Sequence, residues 1–229
     1  TAGFSIVDYT GTGSAGTVSH GLGVVPQVII VKSRSGASDS DGDWNVFHHK
    51  NTSAPATDFL ILNETTATQD AANRWNDTAP TSSVFTVGTT TRVNEDADNY
   101  IAYCFTEIQG YSKIGSYTGN GNADGVFIYT GFKPAWLMCK CTSDGSGDRD
   151  WTIFDNKRNT SNVANLNLKA NESTAENNNS RIPLVDFVSN GIKFRSGHGE
   201  TNGGTQTYIY MAFAESPFVS SEGVPTTAR

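Results

Sequence analysis

The chain of 229 residues repeats itself after about 108 positions, and this internal repeat constrains the fold more than any other feature of the sequence. Four motifs recur in the same order and with nearly the same spacing. They are Asp8–Gly13 and Ser116–Gly121, Pro26–Lys32 and Pro134–Lys140, Gly42–Phe47 and Arg149–Phe154, and Tyr100–Glu107 and Tyr208–Glu215. A register held over the whole unit indicates a tandem duplication. Because the period is domain-sized, each copy can enclose its own core.

The local pattern of each copy predicts β-strands rather than helices. Short runs rich in Val, Ile, Phe and Tyr alternate with turn clusters of Gly, Asn and Asp, as in β-proteins. Only the stretch Thr65 to Trp75 is compatible with a turn of helix. The predicted fold is therefore all-β, with two tandem related β-sandwich-like units at residues 1–113 and 114–218, followed by a C-terminal tail at 219–229.

Two tryptophans occupy matching positions in the two copies. Trp44 and Trp151 each follow an aspartate and lie three residues before a phenylalanine. A buried indole removes on the order of 200 Å² from water. We therefore expect Trp44 and Trp151 to anchor the two cores, with Tyr100–Phe105 and Tyr208–Phe213 as central strands that are apolar on both faces.

Composition excludes several classes of protein. The formal net charge is −7 and no run of Lys or Arg is present, so nucleic acid is not an expected partner. The longest apolar runs have the length of strands, so no membrane insertion is expected. Cys104, Cys139 and Cys141 are an odd number, and the last two share a strand face, so all three are predicted to be free thiols, consistent with assembly in a reducing cytoplasm.

The sequence offers little support for catalysis. No G-x-S-x-G motif is present, and the four histidines form no metal-binding pattern, so we predict that the protein is not an enzyme and has no cofactor. Two acidic loops leave calcium as an alternative, because Ca²⁺ takes six to eight oxygen ligands. The favoured interpretation is solvated hairpin tips. The acidic residues concerned are Asp39, Asp41, Asp43, Asp144, Asp148 and Asp150.

Polar loops with single aromatic residues are candidates for sugar binding. Planar rings stack on the apolar faces of sugars, while Asn, Asp and Thr hydrogen-bond to hydroxyl groups. Such aromatic residues are equally common as core residues near the ends of loops. The candidate ligand-binding residues are Trp75, Asn76, Asp77, Tyr129 and Phe132.

Taken as a series, the motifs resemble a module of tailed bacteriophages, particularly marine ones. The resemblance is carried by residues 1–13, 20–32, 75–82, 99–105, 110–113, 116–121 and the ending 219–229. It covers essentially the whole chain and implies that the chain is similar to the C-terminal part of a longer, tail-fibre-like virion protein. The resemblance implies no catalytic residues.

The function expected from the resemblance and the uncharged polar composition is non-enzymatic contact with the host surface at the virion exterior. The expected partner is a host cell-surface glycan or protein, and we expect a homo-oligomer in which many weak contacts add up. The alternative is a capsid-decoration or fibre-forming module that binds other virion proteins, and a third hypothesis is a glycan-degrading enzyme with two carboxylates in a groove.

Overall fold

The computed structural model describes residues 3–35, 42–147, 149–176 and 184–216. The fold is all-β, as predicted, and the chain divides into two compact units. The first unit comprises Thr1–Asn63 and Thr68–Thr106, and the second comprises Glu64–Ala67 and Glu107–Arg229. The division falls between Thr106 and Glu107 rather than after residue 113, because a strand that begins at Ser112 pairs within the second unit.

The first unit contains eight strands and two single-turn helices within the part of the chain that is described. Its larger sheet has the strand order β1-β8-β3-β4-β5-β6, and β2 pairs with β7 in a separate sheet. The elements are β1 (Phe4–Thr10), β2 (Gly16–Ser19), β3 (Val28–Ser33), β4 (Trp44–His48), β5 (Asp58–Ile61), β6 (Gln69–Asp70), α1 (Ala72–Trp75), β7 (Val84–Val87), α2 (Thr91–Asn94) and β8 (Asn99–Phe105).

The core of the first unit lies between these two sheets. Strands β3, β4, β5 and β8 contribute alternate residues from the larger sheet, as the two-residue period of a strand requires. Phe85 and Val87 close the core from β7. Leu22 and Trp75 fill it from outside the strands.

The second unit repeats this arrangement. Its larger sheet has the order β13-β12-β11-β16-β9, and its smaller sheet has the order β10-β15-β14. The strands are β9 (Ser112–Thr118), β10 (Phe127–Tyr129), β11 (Pro134–Cys141), β12 (Thr152–Asp155), β13 (Leu168–Lys169), β14 (Val185–Val188), β15 (Gly191–Phe194) and β16 (Thr207–Ala214). A separate core lies between the two sheets, with Leu137, Phe154 and Tyr210 on one side and Ile128, Phe187 and Phe194 on the other.

The expectation that Trp44 and Trp151 anchor the cores is wrong. Trp44 is partly exposed and stacks on Tyr103, with 6.2 Å between ring centroids. Trp151 is buried but lies outside the core cluster of its unit. Successive side chains of a strand point to opposite faces, so the phenylalanine three residues later takes the core position instead. These residues are Phe47 and Phe154.

A pair of stacked tyrosines joins the first and last strands of each unit. Tyr9 stacks on Tyr100 at 5.1 Å, and Tyr117 stacks on Tyr208 at 4.9 Å. The hydroxyl groups of Tyr9 and Tyr117 both donate a hydrogen bond of 2.6 Å to a backbone carbonyl, and the acceptors are Val93 and Thr201. Val93 and Thr201 are themselves related by the repeat, so the duplication extends to individual hydrogen bonds.

A buried asparagine fixes the same loop in each unit. The Oδ1 atoms of Asn94 and Asn202 accept a backbone N–H, and the Nδ2 atoms donate to backbone carbonyls, so each side chain replaces several backbone partners. The partners are Thr12 N, Ser14 O and Gly88 O for Asn94, and Asn120 N, Asn122 O and Ser196 O for Asn202.

Close contact with this loop explains the first glycine of the recurring Tyr-Thr-Gly-x-Gly motif. A Cβ atom at Gly11 would overlap the carbonyl oxygen of Glu95, and one at Gly119 would overlap that of Gly203. Glycine is therefore required where the two backbone segments pass each other.

Candidate functional site

The first predicted ligand-binding group, Trp75-Asn76-Asp77, does not form an accessible site around its ring. Trp75 has 2% of its surface exposed, and its Nε1 donates to the carbonyl of Asp58 at 3.1 Å. It is a core residue, packed edge-on against Phe47. Asn76 and Asp77 are exposed and form the left-handed turn that ends α1. The indole is therefore part of the core of the first unit. The polar residues that follow it along the chain did not indicate this burial.

The second predicted group is divided by the structure. Phe132 is buried, with its backbone held by Thr130, whereas Tyr129 has 63% of its surface exposed. Phe127, two residues earlier on β10, has 45% exposed. Because β10 alternates, Ile128 enters the core and both rings point outward. Sequence reasoning missed Phe127, because residues 126–129 are all apolar or aromatic and no alternation of polarity marks which of them face outward.

Strand β10 displays these two rings at the edge of the smaller sheet. It pairs only with β15 among the described strands, with Tyr129 opposite Gly191 and Phe127 opposite Lys193. A Cβ atom at Gly191 would overlap the carbonyl oxygen of Ile128 and would approach the ring of Phe127 to 2.8 Å, so glycine allows both the β10 backbone and this ring to lie close to β15. We call Phe127, Tyr129 and Gly191, with the charged residues described next, the aromatic platform.

Charged side chains border the two rings. Lys193 Nζ lies 2.7 Å from the carboxylate of Asp124, and its ammonium holds the pKa of that carboxyl below its usual range. On the neighbouring strand β14, Asp186 pairs with Arg195 at 3.3 Å. The aromatic platform therefore presents two apolar rings beside exposed hydrogen-bonding groups, the combination that a sugar ring requires.

A groove of about 360 Å³ lies in the first unit. Its lining comes mainly from β1 and β2 and includes Asp8, Tyr9 and Thr17. Tyr9 is stacked on Tyr100 and its hydroxyl is bonded to Val93, so its ring belongs to the core rather than to a binding surface. The outward positions of β2 hold Thr17 and Ser19, in contrast to the aromatic rings on β10.

The described aspartates of the acidic loops form ion pairs with basic side chains of the same unit. Asp43 pairs with Arg92, and Asp144 pairs with Arg149 at 2.8 Å. Hydrogen bonds from Ser146, together with Arg149, lower the pKa of Asp144 to about 2. Within the described residues, no three His, Cys, Asp or Glu side chains converge as a metal site. The remaining calcium candidates Asp39, Asp41 and Asp148 lie outside the described residues.

Asp150 belongs to a buried cluster with Lys169 and Glu200. Its side chain is 1% exposed and pairs with Lys169, which also lies 3.0 Å from Glu200 Oε1. Burial, partly offset by Lys169, raises the pKa of Glu200 to about 7, and its contact with Asp150 adds to this. The sequence did not indicate this cluster, because neither Lys169 nor Glu200 recurs in the other copy.

The repeat shows which residues of the first unit stand at the positions of Lys169 and Glu200. Ile61 pairs with Asn45 as Lys169 pairs with Thr152, so Ile61 stands at the position of Lys169. Arg92 precedes Val93, the acceptor of the Tyr9 hydroxyl, as Glu200 precedes the equivalent acceptor in the second unit. A comparison of charge between the two copies would therefore have found the cluster.

The three cysteines agree with the sequence-based prediction of free thiols. Cys104, Cys139 and Cys141 are buried and free. The helices among the described residues have four residues each, and neither is long enough to cross a bilayer.

The chain belongs to a domain family of unknown function, DUF7483, whose model matches residues 1–217. The match covers both units, so the family is defined by the duplicated pair rather than by a single copy. No curated protein matches the sequence significantly, and no solved structure does so either.

Proposed function

We propose that this chain is the non-enzymatic host-binding part of a phage virion surface protein, and that it binds cell-surface glycan through the aromatic platform of its second unit. The observation that carries the proposal is the outward display of Phe127 and Tyr129, two large rings side by side on an edge strand. The resemblance to tail-fibre-like modules supports the same conclusion.

The chemistry of the aromatic platform suits a sugar. The C–H face of a pyranose covers an exposed aromatic ring without needing a deep pocket. Asp124 accepts hydrogen bonds at the rim, and its carboxylate remains charged because Lys193 stabilises it. A shallow site of this kind binds weakly as a single copy. Oligomerisation of a fibre would multiply the contacts, and avidity then exceeds the affinity of one site.

The buried cluster does not provide a competing sugar site. Asp150 and Glu200 are two carboxyl groups in contact, closer together than the roughly 5 to 10 Å at which glycan hydrolysis places its acid pair. Their side chains are 1% and 3% exposed and both contact Lys169, so a sugar has no access to them.

Adsorption of the purified full chain to host cells and to an array of bacterial surface glycans tests the proposal. The informative variant is Phe127→Thr with Tyr129→Ser, which places on β10 the outward residues of β2. We expect at least a tenfold loss of binding, since each stacked ring contributes about 1 kcal/mol or more. The matched control is Val24→Thr with Val25→Ser, which removes two similarly exposed apolar side chains from the first unit.

Two results would contradict the proposal. One is the absence of binding to any host cell or glycan, both for the chain as isolated and for a trimerised fusion. The other is equal loss of binding in the platform variant and in the control variant, which would indicate a general effect of surface apolarity.

A second candidate function is binding to another virion protein, and one observation favours it. Strand β1 is an edge strand of the first unit, and its outward residues Phe4 and Ile6 are exposed. Edge strands with apolar side chains readily accept a further strand. If this surface is the functional one, Phe4→Ser with Ile6→Ser will reduce incorporation of the protein into phage particles, and labelling will place the protein on capsid faces.

A further inference from the structure

Three side chains from separate segments of the second unit meet in the buried cluster. Asp150 lies immediately before β12, Lys169 lies on β13, and Glu200 lies in the loop after β15. The amine of Lys169 contacts both carboxyl groups, and the two carboxyl groups are close enough to share a proton. The lysine side chain is 14% exposed, so the cluster is shielded from water on nearly all sides.

Neighbouring groups orient the carboxyl of Asp150. Asn171 Nδ2 donates to Asp150 Oδ1 at 2.6 Å, which leaves Oδ2 on the side of Lys169. The backbone also fixes this geometry, because Ala170 N donates to the carbonyl of Trp151 at 3.0 Å. Glu172 lies 3.8 Å from Lys169 Nζ, and His198 lies 3.6 Å from Glu200 Oε2. On β11, the Cys139 thiol interacts electrostatically with Glu200, and the Lys140 amine does so with Asp150.

We propose that Lys169 and Asp150 join spontaneously to form an intramolecular amide cross-link, with Glu200 as the group that transfers protons. This reaction requires an amine, a carboxyl group and a proton donor held together away from water. The three residues supply these, and no oxidant, metal or external reactant is needed.

The reaction balances within the three side chains. The Lys169 ammonium gives one proton to the Asp150 carboxylate, which produces a neutral amine and a neutral carboxylic acid. Nζ then attacks Cγ of Asp150, so that an N–C bond forms and a tetrahedral intermediate results. Glu200 donates its proton to the departing Oδ2 hydroxyl, and its carboxylate then takes a proton from Nζ of the tetrahedral intermediate. One C–O bond breaks, and one water molecule leaves.

The electrostatics of the cluster support this sequence of steps. Because burial and Asp150 raise the pKa of Glu200 to about 7, this residue carries a proton for part of the time at neutral pH. The ion pair with Asp150 and Glu200 raises the pKa of Lys169, so the neutral amine arises by transfer within the pair and not by loss of a proton to solvent. Against the effect of burial, Lys169 and Asn171 hold the pKa of Asp150 below its usual value, so the ion pair is the resting form. Burial reduces the free-energy cost of exchanging this ion pair for two neutral groups.

The first unit provides an internal comparison. Its equivalent positions are Asp43, Ile61 and Arg92, so the carboxylate is present but no lysine faces it. A guanidinium group is a poor nucleophile because it stays protonated. The same scaffold therefore predicts one cross-link in the second unit and none in the first.

The cross-link would attach the short edge strand β13 covalently to the start of β12. A two-residue strand has few hydrogen bonds with which to resist forced separation. An amide bond at this position suits a protein exposed at the outside of a virion, and this consequence does not depend on the glycan proposal.

Mass spectrometry of the denatured full chain tests the inference directly. We expect an intact mass lower than the sequence mass by one water molecule. Trypsin should then release a branched peptide in which residues 150–157 are joined to residues 159–181, uncut at Lys169. An intact mass equal to the sequence mass, or a branch at other residues, would overturn the proposal.

Variants separate this reaction from other losses of water. Lys169→Ile introduces the residue of the first unit and should restore the full sequence mass, whereas Lys133→Met, which alters a surface ion pair, should still lose one water. Asp150→Asn should form the same amide with loss of ammonia, giving a product of the same mass as the wild-type product. A water loss that persists in Lys169→Ile would show succinimide formation at an Asp–Gly sequence and would overturn the proposal.

The role of Glu200 has its own measurement. Glu200→Gln keeps the shape of the side chain but removes the transferable proton. When the variant is purified in the unfolded state and then refolded, cross-linking should be at least tenfold slower than in the wild-type chain. In the wild-type chain the rate should fall as pH rises through about 7, in line with the pKa of Glu200. An unchanged rate in Glu200→Gln would overturn the assignment of Glu200, while the branched peptide still decides whether the cross-link exists.

Discussion

The first unit pairs its Asp43 with an arginine, whereas the second pairs the corresponding Asp150 with a lysine that also contacts Glu200. Around this difference the two units are alike. Stacked tyrosines and a buried asparagine make corresponding hydrogen bonds in both. The hydrogen bonds that define the fold have been kept in both copies, while charges and outward side chains have diverged.

The outward residues of the smaller sheets diverge in the same way. Strand β2 presents Thr17 and Ser19, and β10 presents Phe127 and Tyr129. Both pairs lie on strands that hold equivalent places in the two units. The comparison teaches that the exposed side chains of one copy can change while the framework that both copies share is kept.

The largest expected effect follows from removal of the buried asparagine. Asn202→Ala leaves one N–H and two carbonyl groups of the backbone without partners, so the free energy of unfolding should fall by about 3 kcal/mol or more. Asn94→Ala should cost a similar amount, because its hydrogen bonds correspond. Denaturant unfolding of the full chain measures both values.

Asn99→Ala serves as the control for this comparison, because Asn99 is exposed and the hydrogen bond that its side chain accepts from Thr10 is long, at 3.4 Å. It should change stability by less than about 0.5 kcal/mol. If Asn94→Ala and Asn202→Ala differed by several kcal/mol, the two loops would not be energetically equivalent.

Lys140 offers a comparison of burial. Its repeat partner Lys32 is partly exposed, whereas Lys140 is fully buried and donates to the carbonyls of Cys141 at 2.7 Å and Thr65 at 3.0 Å. Burial lowers the pKa of Lys140 from 10.5 to about 8. Between these two pH values the unfolded chain binds more protons at this residue than the folded chain, so the residue destabilises the fold less as pH rises.

Lys140→Met isolates this effect. From pH 8 to pH 10.5 the wild type should gain about 3 kcal/mol of stability relative to the variant, at about 1.4 kcal/mol per pKa unit. Denaturant unfolding of both proteins at several pH values gives the difference. Lys32→Met is the matched control, because it removes an ammonium group that water reaches. A constant difference between wild type and Lys140→Met would show that the amine is already neutral or hydrated.

The smallest effect concerns the tyrosine hydroxyls. Tyr9→Phe and Tyr117→Phe each remove one hydrogen bond of 2.6 Å and leave the stacked ring in place. Each should lower the free energy of unfolding by about 1 kcal/mol. Unfolding curves that show a large loss in one variant and none in the other would break the correspondence between the units.

Much of the fold followed from the sequence because short apolar runs, turn clusters and the repeat after about 108 residues can be recognised without knowledge of tertiary packing. The strands predicted at Tyr100–Phe105 and Tyr208–Phe213 are present as β8 and β16. The edge strand β1 was less evident, because its alternating side chains are only partly buried and include Asp8 and Thr10.

The site was less predictable because burial depends on tertiary packing. Trp75 stands among polar residues yet fills the core, and Trp44 has the apolar character of a core residue yet lies on the opposite face of its strand. The contacts of Lys169 with Asp150 and Glu200 join segments far apart in sequence, and no local sequence pattern predicts them.

Footprinting of the complex with bound glycan tests the central claim, that one of two similar units carries the binding surface. Hydroxyl-radical labelling of the chain, free and bound to host glycan, should show protection of Phe127 and Tyr129, with Val24, Val25 and Tyr111 labelled equally in both states. Protection confined to the first unit, with Phe127 and Tyr129 labelled as before, would contradict the account.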